Sequence, residues 1–418
     1  MGKKYSVVVL ILLIFFVISL MQNMLGPLIP DIIDGFDISL TLAGFLPFSF
    51  FIAYAVMSIP TGFLIEKFRE KIIMVAGFII SFSGALLFAT KPTYLFALLS
   101  LFMMGTGVAM LQVAINPLLR VAGGEKHFAF NSVLAQFIFG SASFISPMIY
   151  IYFIRNIQDK GSPDPGIIRL LTRIVPENLP WVSMYWVFVV VTLLMIFIIA
   201  AIKMPEVELT EDERIGQKNN FIALLRNRFV LLYFFGIIAY VGTEQGVANW
   251  ISKFLATYHN FDPQSIGAKT VSNFWGLMTI GCILGLFLLK LIDSRKVLIF
   301  FSVAAIIALT AALFGSGTVA LVAFPLVGFF ASVMWSIIFS LALNSVSKYH
   351  GTFSGILCTG ICGGAIVPFI IGWLGNRFGL RFGMLFIYLT MGYILSVGFW
   401  AKPLINNATV ILKKNKSE

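Results

Sequence analysis

Apolar residues in this chain come in unbroken runs rather than at helical or strand spacing. Twelve runs fall at about 7–33, 42–65, 71–90, 94–119, 128–155, 182–202, 229–257, 267–292, 296–315, 318–346, 351–375 and 382–401. Each is near the length of about 20 residues that carries a helix across a bilayer core of about 30 Å. Glycine, proline, asparagine or charge punctuates the gaps. Barrel strands would alternate apolar and polar positions, and these runs do not, so a membrane barrel is excluded. The pattern predicts an all-α membrane protein with 12 transmembrane helices.

Composition agrees with the pattern. Of 418 residues, 59% are hydrophobic and 11% are charged, against roughly 25% charged in soluble domains. Such a chain cannot be covered with polar surface, so the lipid bilayer is its solvent. Lys3 and Lys4 ahead of an apolar stretch imitate a signal peptide, but the run is longer than an h-region and has no small-residue cleavage site. It reads as the first span.

The net charge of +11 would suggest nucleic acid in a soluble protein. Here no nucleic acid is expected, because position explains the charge. With both termini cytoplasmic, 20 of the 29 basic residues fall on the inner side, as the positive-inside rule requires. Arg377 and Arg381 run against the rule. Cys282, Cys358 and Cys362 lie inside spans and read as small core residues. His127, His259 and His350 are too far apart for a metal cluster, and no metal is expected.

The longest polar stretch on the inner side, 203–228, divides the spans six and six. The expected organisation is a six-helix bundle over 1–202, a cytoplasmic linker over 203–228 and a second six-helix bundle over 229–418. Acidic residues from Glu206 to Glu213, followed by basic ones, read as a solvated linker helix. In the longest outer loop, about 156–181, Pro163, Pro165, Pro176 and Pro180 argue against a regular element. The halves echo each other at matched places. Gly62 precedes Glu66, Lys67, Arg69 and Lys71 after span two, and Gly285 precedes Lys290, Asp293, Arg295 and Lys296 after span eight. Pseudo-symmetric halves of this kind are characteristic of transporters.

The halves, the linker and the turn carrying Gly62, Glu66, Lys67, Arg69 and Lys71 resemble the major facilitator superfamily, with Glu66 where that family usually has Asp. A narrower resemblance lies in Gly107 to Pro117, with Leu111, Gln112 and Asn116, and continues through Gly124, Glu125, Lys126, His127, Phe128 and Asn131. With Tyr240, Glu244, Gly246 and Trp250 in span seven, and Gly363, Gly364 and Pro368 in span eleven, this is similar to the fucose–galactose–glucose–hexuronate symporter family. The resemblance implies a secondary active transporter importing a hexose, deoxyhexose or amino sugar by alternating access, as ion-coupled symport. It further implies an inner (plasma) membrane location, a monomer, no cofactor, and a proton or sodium as the coupling ion. In proteins of that family the position of Asn23 usually holds an Asp tied to proton coupling, and the position of Gln112 can hold a Glu; this chain has amides at both. An amide cannot carry a proton, so that role transfers to neither.

Polar side chains at mid-membrane are costly and are therefore functional candidates. Gln112 and Asn116 share one face of span four. They either hydrogen-bond sugar hydroxyls or tie helices together, and Asn116-Pro117 also reads as a helix-end device. Gln22 and Asn23 precede Gly26, Pro27 and Pro30 in a stretch expected to kink, with Asn23 the cavity candidate. Glu244 is the one carboxylate near the centre of a predicted span. It is expected to be the ion-coupling site or a sugar ligand, against a structural anchor. Gln245, Asn249 and Lys253, spaced by four, form a stripe from the cavity to the outer mouth. Trp250 and Trp275 read either as aromatic platforms or as packing and interfacial anchors. Asn131 and Gln136 lie about 140° apart on span five and cannot both face a cavity squarely. Asn273 and Asn344 rank lower. The charged turns with Gly62, Glu66, Arg69, Asp293 and Arg295 read as cytoplasmic gates locking the halves.

Two other functions fit such a chain less well. An efflux carrier for amphipathic compounds would have a more apolar cavity. An integral-membrane enzyme would need a His/Asp/Glu/Ser constellation, and no such constellation is visible, so the chain is not expected to be an enzyme. No G-x-x-x-x-G-K-[ST] phosphate loop is present.

Overall fold

A computed structural model describes residues 2–123, 128–158, 166–202, 204, 224–346 and 350–404. Most of the 203–228 linker lies outside the described residues, as do 124–127 and 347–349. Among the described residues there are twelve helices long and apolar enough to cross a membrane. The first six are Ser6–Phe36, Leu40–Ile65, Lys67–Thr90, Tyr94–Ile115, Leu134–Gln158 and Pro180–Ala201. The second six are Arg228–His259, Pro263–Leu291, Ser294–Phe314, Gly317–Leu343, Thr352–Phe378 and Leu380–Trp400. They are numbered spans 1 to 12 below. An even number of spans puts Ser6 and Trp400 at one face, here the terminal face; the opposite one is the far face.

Local chemistry explains where the helices bend. Span 1 is two helices, Gly2–Asn23 and Leu25–Phe36, meeting at Met24. Pro27 has no N–H to offer the carbonyl of Asn23 four residues back, and Pro30 none for Gly26, so the ladder opens there. The expected kink is therefore present and sits on the polar residues. Spans 2 and 3 run on from Leu40 to Thr90, broken only at Arg69, whose φ of 67° and ψ of 158° lie outside the helical region. The reversal is thus made at Arg69, within the charged turn that follows Gly62. Lys71 then donates to the carbonyls of Ala200 and Ile202 at 2.9 Å, and so closes the end of span 6.

The loop before span 6 departs from expectation. Gly166–Ile174 is a helix, because Pro165 and Pro176 flank it without entering it.

Spans 2 and 11, 5 and 8, and 1 and 7 carry the main packing between the first six and the last six. Gly26 makes one of the closest approaches: a Cβ there would stand 2.6 Å from the Ala248 carbonyl oxygen of span 7. The absence of a side chain lets the two backbones meet.

Candidate functional site

The polar residues of spans 1, 5 and 7 meet at mid-depth, beside the kink. Asn23 donates to the Ser143 hydroxyl at 2.8 Å and to Ser19 at 3.5 Å. Ser19 and Ser143 share a bond of 2.7 Å. Gln22 accepts from the Tyr54 hydroxyl at 3.1 Å. Across the interface, the Gln245 amide reaches the Asn23 Oδ1 at 3.4 Å and its neighbour Glu244 at 3.0 Å. Asn249 donates to Gln245 at 3.4 Å. Asn23, Gln245 and Asn249 are all buried. The amides thus satisfy one another across the two halves, so each polar group taken out of water has a partner.

Glu244 is half-buried and accepts from the Tyr240 hydroxyl and from Gln245. Both donors are neutral. No cation of a described residue pairs with it. A carboxylate at this depth calls for a neutralising partner.

From this network the interface closes toward the far face. Asp31 is 8% exposed and accepts from the Tyr150 hydroxyl within its own half, and from Gln264 of the other half at 2.9 Å. Lys253 pairs with Asp34 at 3.4 Å, and Gln158 donates to Gln264 at 3.4 Å. Deeper, Ser272 donates to the Phe144 carbonyl at 2.6 Å, and the Phe45 and Phe369 rings meet at 4.6 Å between centroids. The stripe of Gln245, Asn249 and Lys253 is therefore a seam between halves rather than a wetted path to the mouth.

Toward the terminal face the two halves part. No hydrogen bond or ion pair between two described residues joins them there. An open cleft of about 370 Å³ is lined by Gln136 of span 5 and by Trp335, Ser336, Phe339, Ser340, Leu343 and Asn344 of span 10. Trp335 stacks on Phe339 with centroids 5.6 Å apart and planes at 23°. Its other neighbour is Tyr240, at 6.0 Å, the residue that bonds Glu244. An aromatic face at the cleft is thus two steps from the carboxylate and three from the amide network.

Other sequence candidates fall elsewhere. Gln112 is half-buried and has no hydrogen bond to a described residue. Asn131 is buried and has a partner. The side chains of Asn116 and Glu66 lie outside the described residues. Asn273 is exposed on span 8 and stands apart from the network, because its neighbours Ser272 and Phe274 take the buried face. Trp250 is fully buried, and its indole N–H donates to the Pro368 carbonyl at 3.2 Å; it packs spans 7 and 11 and offers no platform. Trp275 is 3% exposed, with its N–H unpaired among the described residues, which leaves a spare donor.

The charged turn after span 8 is held together by its own residues. Asp293 caps span 9 by accepting from the Arg295 N–H at 2.8 Å, and it pairs with the Arg295 guanidinium at 3.2 Å. Burial works against its charge, but Arg295 and Lys296 outweigh that and hold its carboxyl below the usual range. Arg69 is exposed and Gly62 buried.

Sequence reasoning missed Asp31 and the Trp335 face. Signals for both exist in the chain. Asp31 is an acidic residue inside the apolar first run, eight residues beyond Asn23. Ser336, Ser340 and Asn344, also spaced by four, mark the cleft side of an otherwise apolar span.

Comparison with known proteins supports the same architecture. The family model described as Major Facilitator Superfamily matches residues 11–368. A glucose/galactose transporter of Brucella abortus is 29% identical over 395 residues, covering 92% of each chain. The L-fucose-proton symporter of Escherichia coli is 23% identical over 382 residues, covering 88% of this chain and 86% of that one. A crystal structure of that Escherichia coli fucose–proton symporter superposes with a TM-score of 0.67 at 22% identity, covering 96% of this chain and 99% of that one.

Proposed function

Because this chain belongs to the Major Facilitator Superfamily, we propose that it is a secondary active transporter that imports a sugar by alternating access to one central site. The observation that carries this reading is the chain of groups from the Trp335 face through Tyr240 and Glu244 to the Gln245–Asn23 amides. Sugars present hydroxyls that both donate and accept, and C–H faces that pack on aromatic rings. Amides, a carboxylate and an indole answer each of these. The relatives named as glucose/galactose and L-fucose transporters support a hexose or deoxyhexose as the solute, with amino sugars the next class to try.

With the termini on the cytoplasmic side of the inner membrane, as the basic residues favour, the open cleft faces the cytoplasm. The far-face seam is then the closed outer gate, and the state is inward-open. Rocking the halves about the mid-depth network would break the seam and close the cleft. The site takes groups from both halves of one chain, which supports a monomer as the working unit.

Glu244 is the coupling site in this reading. Its partners are neutral, so the carboxylate is best accommodated when it travels with a proton or a sodium ion. No cofactor is needed. In cells expressing the chain, labelled hexose uptake should exceed that of the empty vector. If no hexose, deoxyhexose or amino sugar enters, the sugar assignment fails. Glu244→Gln should bring accumulation down to equal concentrations inside and outside while exchange across the membrane persists. Full accumulation by that variant would remove Glu244 from coupling. Uptake indifferent to both protonophore and sodium removal would leave facilitated diffusion.

A further inference from the structure

The short helix Gly166–Ile174, between the far ends of spans 5 and 6, is not used by the transport reading. Its side chains sort into three arcs at about 100° per residue. Ile168, Leu171 and Val175, at 0%, 5% and 7% exposure, are buried against the protein. Beside them Ile167, Leu170 and Ile174 are open, at 54%, 58% and 42%. Beyond that open apolar arc come Arg169 and Arg173, both exposed. Neither arginine has an acidic partner among the described residues.

We propose that this helix lies in the leaflet opposite the termini, with Ile167, Leu170 and Ile174 among the acyl chains and Arg169 and Arg173 on the phosphates of anionic phospholipid. The order of the arcs carries the inference. A helix that only covered the protein would need the buried arc alone, and its remaining surface would be polar. Here a second apolar arc faces away from the protein and is bordered by two cations. That is the distribution of a helix lying in the plane of a membrane interface, with its long cationic side chains reaching back to the headgroups. The site of attachment agrees: both flanking spans end at the far face, so the helix sits at membrane-surface height. A water-exposed position would leave three large aliphatic side chains wet in one patch. A covering protein would be expected to supply carboxylates for the arginines, whereas anionic lipid supplies both the phosphate and the hydrocarbon.

The test uses the full chain with its three cysteines replaced by serine, reconstituted in phosphatidylcholine vesicles containing graded phosphatidylglycerol. Single cysteines at Leu170 and Ile167, and at Thr172 on the polar arc, carry an environment-sensitive fluorophore. Two apolar-arc positions keep the test decisive if one variant does not fold. At Leu170 and Ile167, iodide quenching should be about threefold weaker than at Thr172, and a nitroxide borne by lipid near the headgroup should quench strongly. The phosphatidylglycerol fraction giving half the blue shift should rise about fivefold for Arg169→Gln, and again for Arg169→Gln/Arg173→Gln. Equal iodide quenching at all three positions would overturn the proposal. Protection that disappears when protein is diluted into excess lipid would assign the face to a second copy instead. Protection unaffected by phosphatidylglycerol and by the arginine variants would overturn the anionic-lipid site. Sugar uptake plays no part in these readouts, so the transport reading can fail without them.

Discussion

The far-face seam and the terminal-face cleft both carry polar side chains, paired at one and open at the other. At the seam, Asp31, Gln264, Gln158, Lys253 and Asp34 are paired across the halves. At the cleft, Gln136, Ser336 and Ser340 are exposed, and the Asn344 side chain donates to Ser340 at 3.4 Å within the same half. The difference shows what a reversible gate needs. The seam holds through a few polar bonds that can exchange for water, the Phe45–Phe369 contact, and close backbone approaches at Gly26 and Gly372. A continuous apolar seal of the same area would bring a far larger opening cost. The cleft, with its polar groups free, is the face ready to receive a solute.

The largest effect on this asymmetry is expected from Gly26→Val. Its Cβ would fall 2.6 Å from the Ala248 oxygen, and overpacking of this kind costs about 1–3 kcal/mol. The halves should spread at the far face, seen as a longer spin-label distance between positions 158 and 261, with uptake largely lost. An unchanged distance would mean that span 7 yields and that Gly26 is no constraint. Next, Asp31→Ala or Gln264→Ala removes a hydrogen bond to a buried carboxylate, worth about 1.5–3 kcal/mol. The same distance should shift toward the open population about tenfold or more, and Gln264→Ala added to Asp31→Ala should add little. Additive effects would show that the two residues act separately. On the cleft side, Trp335→Ala should raise the apparent KM for sugar about tenfold, from lost aromatic packing against the ring, and leave the far-face distance unmoved. A change in that distance would make Trp335 a part of the scaffold instead.

The smallest effect is expected at the charged turn. Asp293→Asn keeps the helix cap but removes the ion pair to Arg295, worth up to about 1 kcal/mol at a solvent-accessible site, and should lower thermal stability slightly without changing either gate. The carboxyl of Asp293 is held below its usual range. Its contribution is therefore complete above the ordinary carboxylate pKa and fades as pH falls through the lowered value. A melting temperature of the parent that is flat through mild acid, then falls, while that of the variant does not, would display this. A shift of the far-face distance in Asp293→Asn would restore the turn as a lock between halves.

The sequence by itself determined the number of spans and the place of the span 1 kink. Hydrocarbon thickness fixes run length, and a proline removes an identifiable hydrogen bond wherever it stands. It also marked Asn23, Gln245, Asn249 and Glu244, because polar groups in apolar runs are costly whatever surrounds them. Which of these groups face one another was not legible. Trp250 and Trp335 are both tryptophans in apolar spans, yet one is sealed against Pro368 and the other lies open at the cleft. Asp31 stands near the end of its run like any interfacial acid, and only the approach of Tyr150 and Gln264, 119 and 233 residues away in the chain, makes it part of a gate. Local pattern sets what each helix is. The tertiary structure decided which faces meet, because that depends on packing between helices distant in the chain, and with it which side of the protein is closed.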